Sequence, residues 1–124
     1  MALIDATMES LKGSIEGGGI VVVDFWASWC GPCRAFAPVF KAASDKHEDI
    51  TFAKVDTDAE QELAAGFQIQ SIPTVMVFRD QVLLMRHSGA LPPAALEDVI
   101  DQARQLDMDQ VRKEIAEEEA KAAN

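Results

Sequence analysis

Cysteine is scarce here, with two residues in a chain of 124. A chain of this length should bury roughly two-thirds of its unfolded surface, so its core needs neither disulfide staples nor a structural metal. Positive charge is also short. Eleven Lys+Arg stand against 21 Asp+Glu, for a formal charge of -10, which repels phosphate backbones and anionic lipids and makes nucleic acid and membrane poor partners. The most apolar stretch, Ile20 to Trp29, is interrupted by Asp24, and the opening MALIDATMESLKGSIEGGG has neither a basic n-region nor an apolar h-region. A cytoplasmic setting is therefore expected, and in a reducing compartment two close cysteines point to catalysis or metal binding rather than to structure. A zinc site would need four ligands, and beyond the cysteines only His47 and His87 are available. Neither a cofactor-binding signature nor an internal repeat is present.

At 48% hydrophobic and 26% charged residues, the chain reads as one ordinary globular domain. Thr7 can cap a helix carrying Met8, Leu11 and Ile15 on one side, stopped by Gly17-Gly18-Gly19. The run Ile20 to Trp26 has the pattern of a strand buried on both faces. Ala35, Phe36, Val39, Phe40 and Ala43 mark one side of a helix starting near Pro32, and Pro38 within it should kink it. Ile50 to Val55 reads as a strand. Asp58 with Gln61 suggests a capping box for a helix closed by Gly66. Val75 to Phe78 and Val82 to Arg86 form a hairpin across Arg79-Asp80-Gln81, and Pro92 or Pro93 opens a helix with Leu96, Val99, Ile100 and Ala103 on its face. Alternating strands and helices ending in a hairpin give an α/β domain with a central mixed sheet flanked by helices. From Asp107 the composition turns acidic and helix-forming, with the thin stripe Met108, Val111 and Ile115. The expected division is residues 1–106 as the domain and 107–124 as an extra C-terminal helix, either solvated or used to dock a partner.

The chemistry concentrates in Trp29-Cys30-Gly31-Pro32-Cys33, where a buried strand hands over to a helix. The first-turn amides and the helix dipole favour a Cys30 thiolate, bringing a free-cysteine pKa of about 8.5 towards about 7. Cys30 is the expected nucleophile. Cys33, three residues on, can close a small disulfide ring from inside the helix and is the expected resolving thiol. Two inert buried cysteines are the plain alternative, which Gly31-Pro32 and Trp29 weaken because they build a turn. Asp24 sits in an apolar run, where burial would raise its pKa and let it take the Cys33 proton and return it; an outward-facing strand residue is the simpler possibility. Lys54 in the neighbouring strand could partner it.

Together these residues resemble the thioredoxin family over roughly residues 3 to 106. The resemblance is carried by Val23 to Cys33, by Pro38, Lys54, Val55-Asp56 and Ile72-Pro73-Thr74, and by Gly89-Ala90. It implies the thioredoxin fold with a cis Ile72-Pro73 peptide facing the cysteines. The Ile72 backbone would pair with an extended substrate segment, inside an apolar rim of Trp29, Gly31, Pro32, Ile72, Gly89 and Ala90. Arg34 stands where lysine is usual in the family, and Asp80-Gln81 where a glycine-containing turn is usual.

The expected activity is reduction of protein disulfides by dithiol-disulfide exchange through Cys30 and Cys33, with electrons from a thioredoxin reductase or an equivalent donor and with no cofactor. Gly-Pro between the cysteines resembles reducing members, near about -270 mV, rather than oxidants near about -120 mV. A binding module with incidental redox activity, and a disulfide-forming oxidant or isomerase, are the rival readings.

Overall fold

The structure, a computed structural model, describes residues 3–123; Met1, Ala2 and Asn124, which the expected divisions include, lie outside the described residues. Five strands and five helices follow in the order β1 (Leu3–Asp5), α1 (Met8–Glu16), β2 (Ile20–Trp26), α2 (Gly31–Lys46), β3 (Thr51–Asp56), α3 (Gln61–Gly66), β4 (Thr74–Arg79), β5 (Val82–Ser88), α4 (Pro93–Gln105) and α5 (Met108–Ala123). They build one mixed sheet in the order β1-β3-β2-β4-β5. The strands β1, β3 and β2 run parallel, while β4 runs antiparallel to β2 and β5 antiparallel to β4. Strand β1 has no sequence signal, because three residues are too few for a periodicity.

Alternation along β2 sorts the core into two layers. Val21, Val23 and Phe25 pack with Leu11 of α1, Leu63 of α3, Met76 and Phe78. Val22 faces the other way, with Phe36 and Phe40 of α2, Leu96 and Ile100 of α4, Phe52, Val75 and Val77. The rings of Phe36, Phe40 and Phe52 meet at centroid distances of 5.9 and 5.2 Å, in the range that favours tilted and edge-on aromatic contact. Polar bonds tie the end of α2 and the turn after it to α4: His47 Nε2, at the C-cap, lies 2.7 Å from Glu97 Oε1, and Arg104 forks onto Asp49 at 2.7 and 2.9 Å.

Local signals mostly hold. Thr7 caps α1 by accepting from Ser10 N–H, and the Ser10 hydroxyl accepts from Thr7 N–H in return. Two expectations change. Ala35 is exposed, and the buried face of α2 is Cys33, Phe36, Phe40, Ala43 and Ser44, residues that recur at three- and four-residue spacing and leave Ala35 to one side. The capping box at Asp58 does not form: α3 starts at Gln61 with no side-chain cap, and the Asp58 carboxylate is taken by another partner.

The hairpin turn is tighter than expected, with only Asp80 and Gln81 between β4 and β5, both at positive φ, 49° and 75°. These are the angles of a two-residue turn that matches the strand twist and normally recruits glycine. Asp80 Oδ1 accepts from Gly19 N–H at 2.9 Å, which anchors the turn to the start of β2. Beside it, Arg79 Nη1 donates to the carbonyls of Ala103 and Leu106 at 2.8 Å each, closing the end of α4 where α5 begins. Met108 is buried, whereas Ile115 is 38% exposed, so only the first turn of α5 packs on the body. Among the described residues no helix is long and apolar enough to cross a membrane.

A left-handed backbone costs a non-glycine residue about 1–2 kcal/mol. Gln81→Gly should therefore raise stability by up to about 1 kcal/mol, after loss of the exposed bond from Gln81 Nε2 to the Glu16 carbonyl. Denaturant unfolding at pH 7 measures it, and a lower midpoint would contradict this account of the turn.

Candidate active site

The cysteine pair lies where β2 ends and α2 begins. Cys30 is the N-cap of α2, in an extended conformation, and its Sγ accepts the Cys33 N–H at 3.2 Å. A sulfur in this position receives both a direct amide donor and the positive end of a 16-residue helix. The two cysteines are joined as a disulfide, with Cα atoms 5.2 Å apart. Both are shielded, Cys30 at 5% and Cys33 at 2% exposure. Exposure thus separates them less than expected, because Ala27, Trp26 and Ile72 pack around the pair; the amide donor at the helix end is what sets Cys30 apart.

Around the disulfide, the residues singled out from the resemblance gather on one surface. Gly31 and Pro32 are exposed in the first turn of α2. The Ile72-Pro73 peptide is cis, Ile72 is half-buried, and its carbonyl oxygen lies 3.8 Å from Cys30 Sγ. Gly89 N–H donates to the Pro73 carbonyl at 2.7 Å, and Gly89 has φ of 108°, a conformation that side chains resist. Ala90 follows it, exposed. Trp29 is 68% exposed, with its indole N–H donating to Asp58 Oδ2 at 3.0 Å. That bond explains the lost capping box, since the carboxylate that could have capped α3 holds the tryptophan beside the cysteines. Arg34 Nη1 donates to the Ser28 carbonyl at 2.9 Å and braces the same loop. Neither Asp58 nor Arg34 carries a sequence signal for these roles, because each contact joins residues from different elements or turns.

Asp24, two residues from Val22 on β2, shares its face and so points to the α2 side of the sheet. It is 1% exposed, and neither carboxylate oxygen has a hydrogen-bond partner. Burial pushes its pKa from an ordinary 3.8 up to about 7, against the opposing pull of the Lys54 charge. Lys54 stands beside it in register on β3. Among the described residues no group of three or more His, Cys, Asp or Glu side chains could hold a metal ion.

A solvent-facing surface with a helix-capped cysteine pair, set on a mixed sheet flanked by helices, defines a dithiol-disulfide oxidoreductase acting on protein disulfides. The thioredoxin family model matches residues 3–102. A "Putative thioredoxin 2" of Streptomyces coelicolor is 50% identical over 119 residues, 96% of this chain and 89% of that protein. Among solved structures, Fasciola hepatica thioredoxin superposes with a TM-score of 0.73 at 36% identity, covering 82% of this chain and 98% of that one. A mutant thioredoxin of Halobacterium salinarum reaches a TM-score of 0.76 at 28% identity, over 86% of this chain and 92% of that one. The chain belongs to the thioredoxin family and is a protein disulfide reductase.

The buried carboxyl has a thermodynamic cost with a defined pH window. Below about pH 3.8 it is neutral whether the chain is folded or not. Between there and about 7 the unfolded chain releases the proton that the folded one retains, so stability falls as pH rises and the full penalty stands above that window. Asp24→Asn should be more stable than the wild type by about 1–3 kcal/mol at pH 8, net of burying the amide, and should gain almost nothing at pH 3.5. Urea unfolding at the two pH values provides the test, and an equal gain at both would remove the ionisation as its cause.

Proposed function

We propose that Cys30 is the attacking sulfur, Cys33 the resolving one and Asp24 the group that exchanges a proton with Cys33. In the forward direction the Cys30 thiolate attacks a substrate disulfide; one substrate sulfur leaves as a thiolate, and a mixed disulfide joins Cys30 to the other. Asp24 accepts the Cys33 proton, and Cys33 attacks the Cys30 sulfur. The mixed disulfide breaks, the second substrate thiolate departs, and Cys30 and Cys33 end as a disulfide. The substrate gains two electrons and the enzyme loses two. The bond from Cys33 N–H to Cys30 Sγ is the observation that carries the assignment, since it stabilises negative charge on one sulfur only.

Trp29, Gly31, Pro32, Ile72, Pro73, Gly89 and Ala90 form the docking surface in this reading. The Ile72 backbone, beside Cys30, pairs with an extended substrate segment on the edge that Pro73 leaves open, and Lys54 acts on Asp24 through its charge. Electrons return from a thioredoxin reductase or equivalent donor, which makes the protein an electron carrier. Residues 1–106 are read as the working domain and 107–124 as an appended helix, supported by a family match that ends at residue 102. The cytoplasm is the compartment that suits a reducing dithiol of this kind.

In the reduced protein, iodoacetamide should alkylate Cys30 at least about tenfold faster than Cys33 at pH 7, because a thiolate and not a thiol is the nucleophile. Peptide mapping of labelled protein gives both rates, and equal rates would overturn the assignment. Cys33→Ser should still attack but should accumulate the mixed disulfide, visible as covalent adducts on non-reducing gels; Cys30→Ser should give none.

A further inference from the structure

Lys54 and Asp24 are register partners on adjacent strands, so their side chains project to the same face of the sheet. A lysine so placed has one obvious partner, yet among the described residues no ion pair within 4.0 Å joins the two, and both Asp24 oxygens stay unpartnered. The Lys54 ammonium instead lies over the indole of Trp26, 4.6 Å from the ring centroid. Trp26 is two residues along β2 from Asp24 and on the same face. Trp26 also packs against the cluster of Ala27, Cys30 and Cys33, so the packing around the disulfide holds the ring that in turn holds the lysine.

We infer that Trp26 is a positioning residue: its indole face engages the Lys54 ammonium as a cation-π partner and thereby keeps it from closing an ion pair with Asp24. The lysine stem is long and flexible, and its ammonium chooses between a ring face and a carboxylate. With the ring present, Asp24 feels Lys54 only as a field. Without it, the carboxylate of its register partner is open to the ammonium, and Asp24 would then stay ionised and lose the capacity to take a proton from Cys33 near neutral pH. This rests on the reading of Asp24 as the proton acceptor and names the device that keeps it available.

Other groups on this face do not substitute for Lys54. Asp56, next on β3, has its Oδ1 engaged by the amides of Asp58 and Ala59. His87 shares the row through Val75, but two strand spacings put its backbone about 9–10 Å from that of Asp24. On α2, Cys30 and Cys33 are uncharged as the disulfide, and Arg34 reaches out to Ser28. On α4, Glu97 is held by His47 and Lys46.

The test follows the Asp24 carboxyl by carbon-13 NMR titration of the oxidised full-length chain, in the wild type, Trp26→Leu, Lys54→Met and the double variant. Trp26→Leu should lower the Asp24 titration midpoint by about one pH unit or more, and the fall should be absent when Lys54 is already Met. An unchanged midpoint in Trp26→Leu overturns the inference. So does an equal fall in the Lys54→Met background, which would mean that water had reached the carboxyl. Should Trp26→Leu not fold, the wild type still decides: a ring-current upfield shift of the Lys54 ε-methylene protons supports the contact, and ordinary shifts overturn it. Stopped-flow release of a mixed disulfide against pH separates the two readings. If the midpoint moves as expected and the release profile does not, the Trp26 contact stands and the proton-acceptor role of Asp24 falls.

Discussion

Strand β2 is hydrogen-bonded on both edges and covered on both faces, and that double burial leaves the Asp24 carboxyl without water and without a donor. A residue so placed costs stability once it ionises. Every other residue from Val21 to Phe25 agrees with the fold at the levels of propensity, pattern and packing. Asp24 breaks that agreement, and a local rule broken inside an otherwise consistent core is where function is to be sought. The same burial that makes the carboxyl expensive is what brings its pKa to about 7.

The end of β2 also decides where the sulfur goes. The strand stops at Trp26, Cys30 N–H donates to the Ala27 carbonyl at 3.2 Å, and α2 starts at Gly31, so Cys30 becomes the residue that caps the helix. Contacts from other elements then brace the loop: Asp58 on the Trp29 indole, Ser28 under Arg34, and Ile72 beside the sulfur. Arg86, from β5, reaches the Phe67 and Gln68 carbonyls at the end of α3, which steadies the segment leading to Ile72. The site is thus assembled from four parts of the chain around a single strand-helix junction.

The C-terminal helix stands apart from this junction. It leaves the body beside the Asp80-Gln81 turn, where Arg112 lies 3.5 Å from the Asp80 carbonyl. Arg79 pairs with Ile20, at the opposite end of β2 from Trp26, a strand length of about 20 Å from the cysteines at about 3.3 Å per residue. From Arg112 to Ala123 every residue of the helix is exposed.

Much of this was legible in the residues themselves. The capped start of α1, the limits of β2, the cysteine pair at a strand-helix handover and the buried aspartate all follow from local pattern, because periodicity, capping and burial are properties of neighbours in the chain. The tertiary structure alone decided what depends on distant residues meeting. Three-residue β1 forms only because β3 offers it an edge. The Asp58 carboxylate turned from capping α3 to holding Trp29 once the fold brought the two together, and Lys54, a plausible ion-pair partner of Asp24 by position, settled over Trp26. A side chain with two possible partners is assigned by geometry that no local pattern contains, whereas the strand that carries Asp24 and the helix that caps on Cys30 were already determined by the sequence.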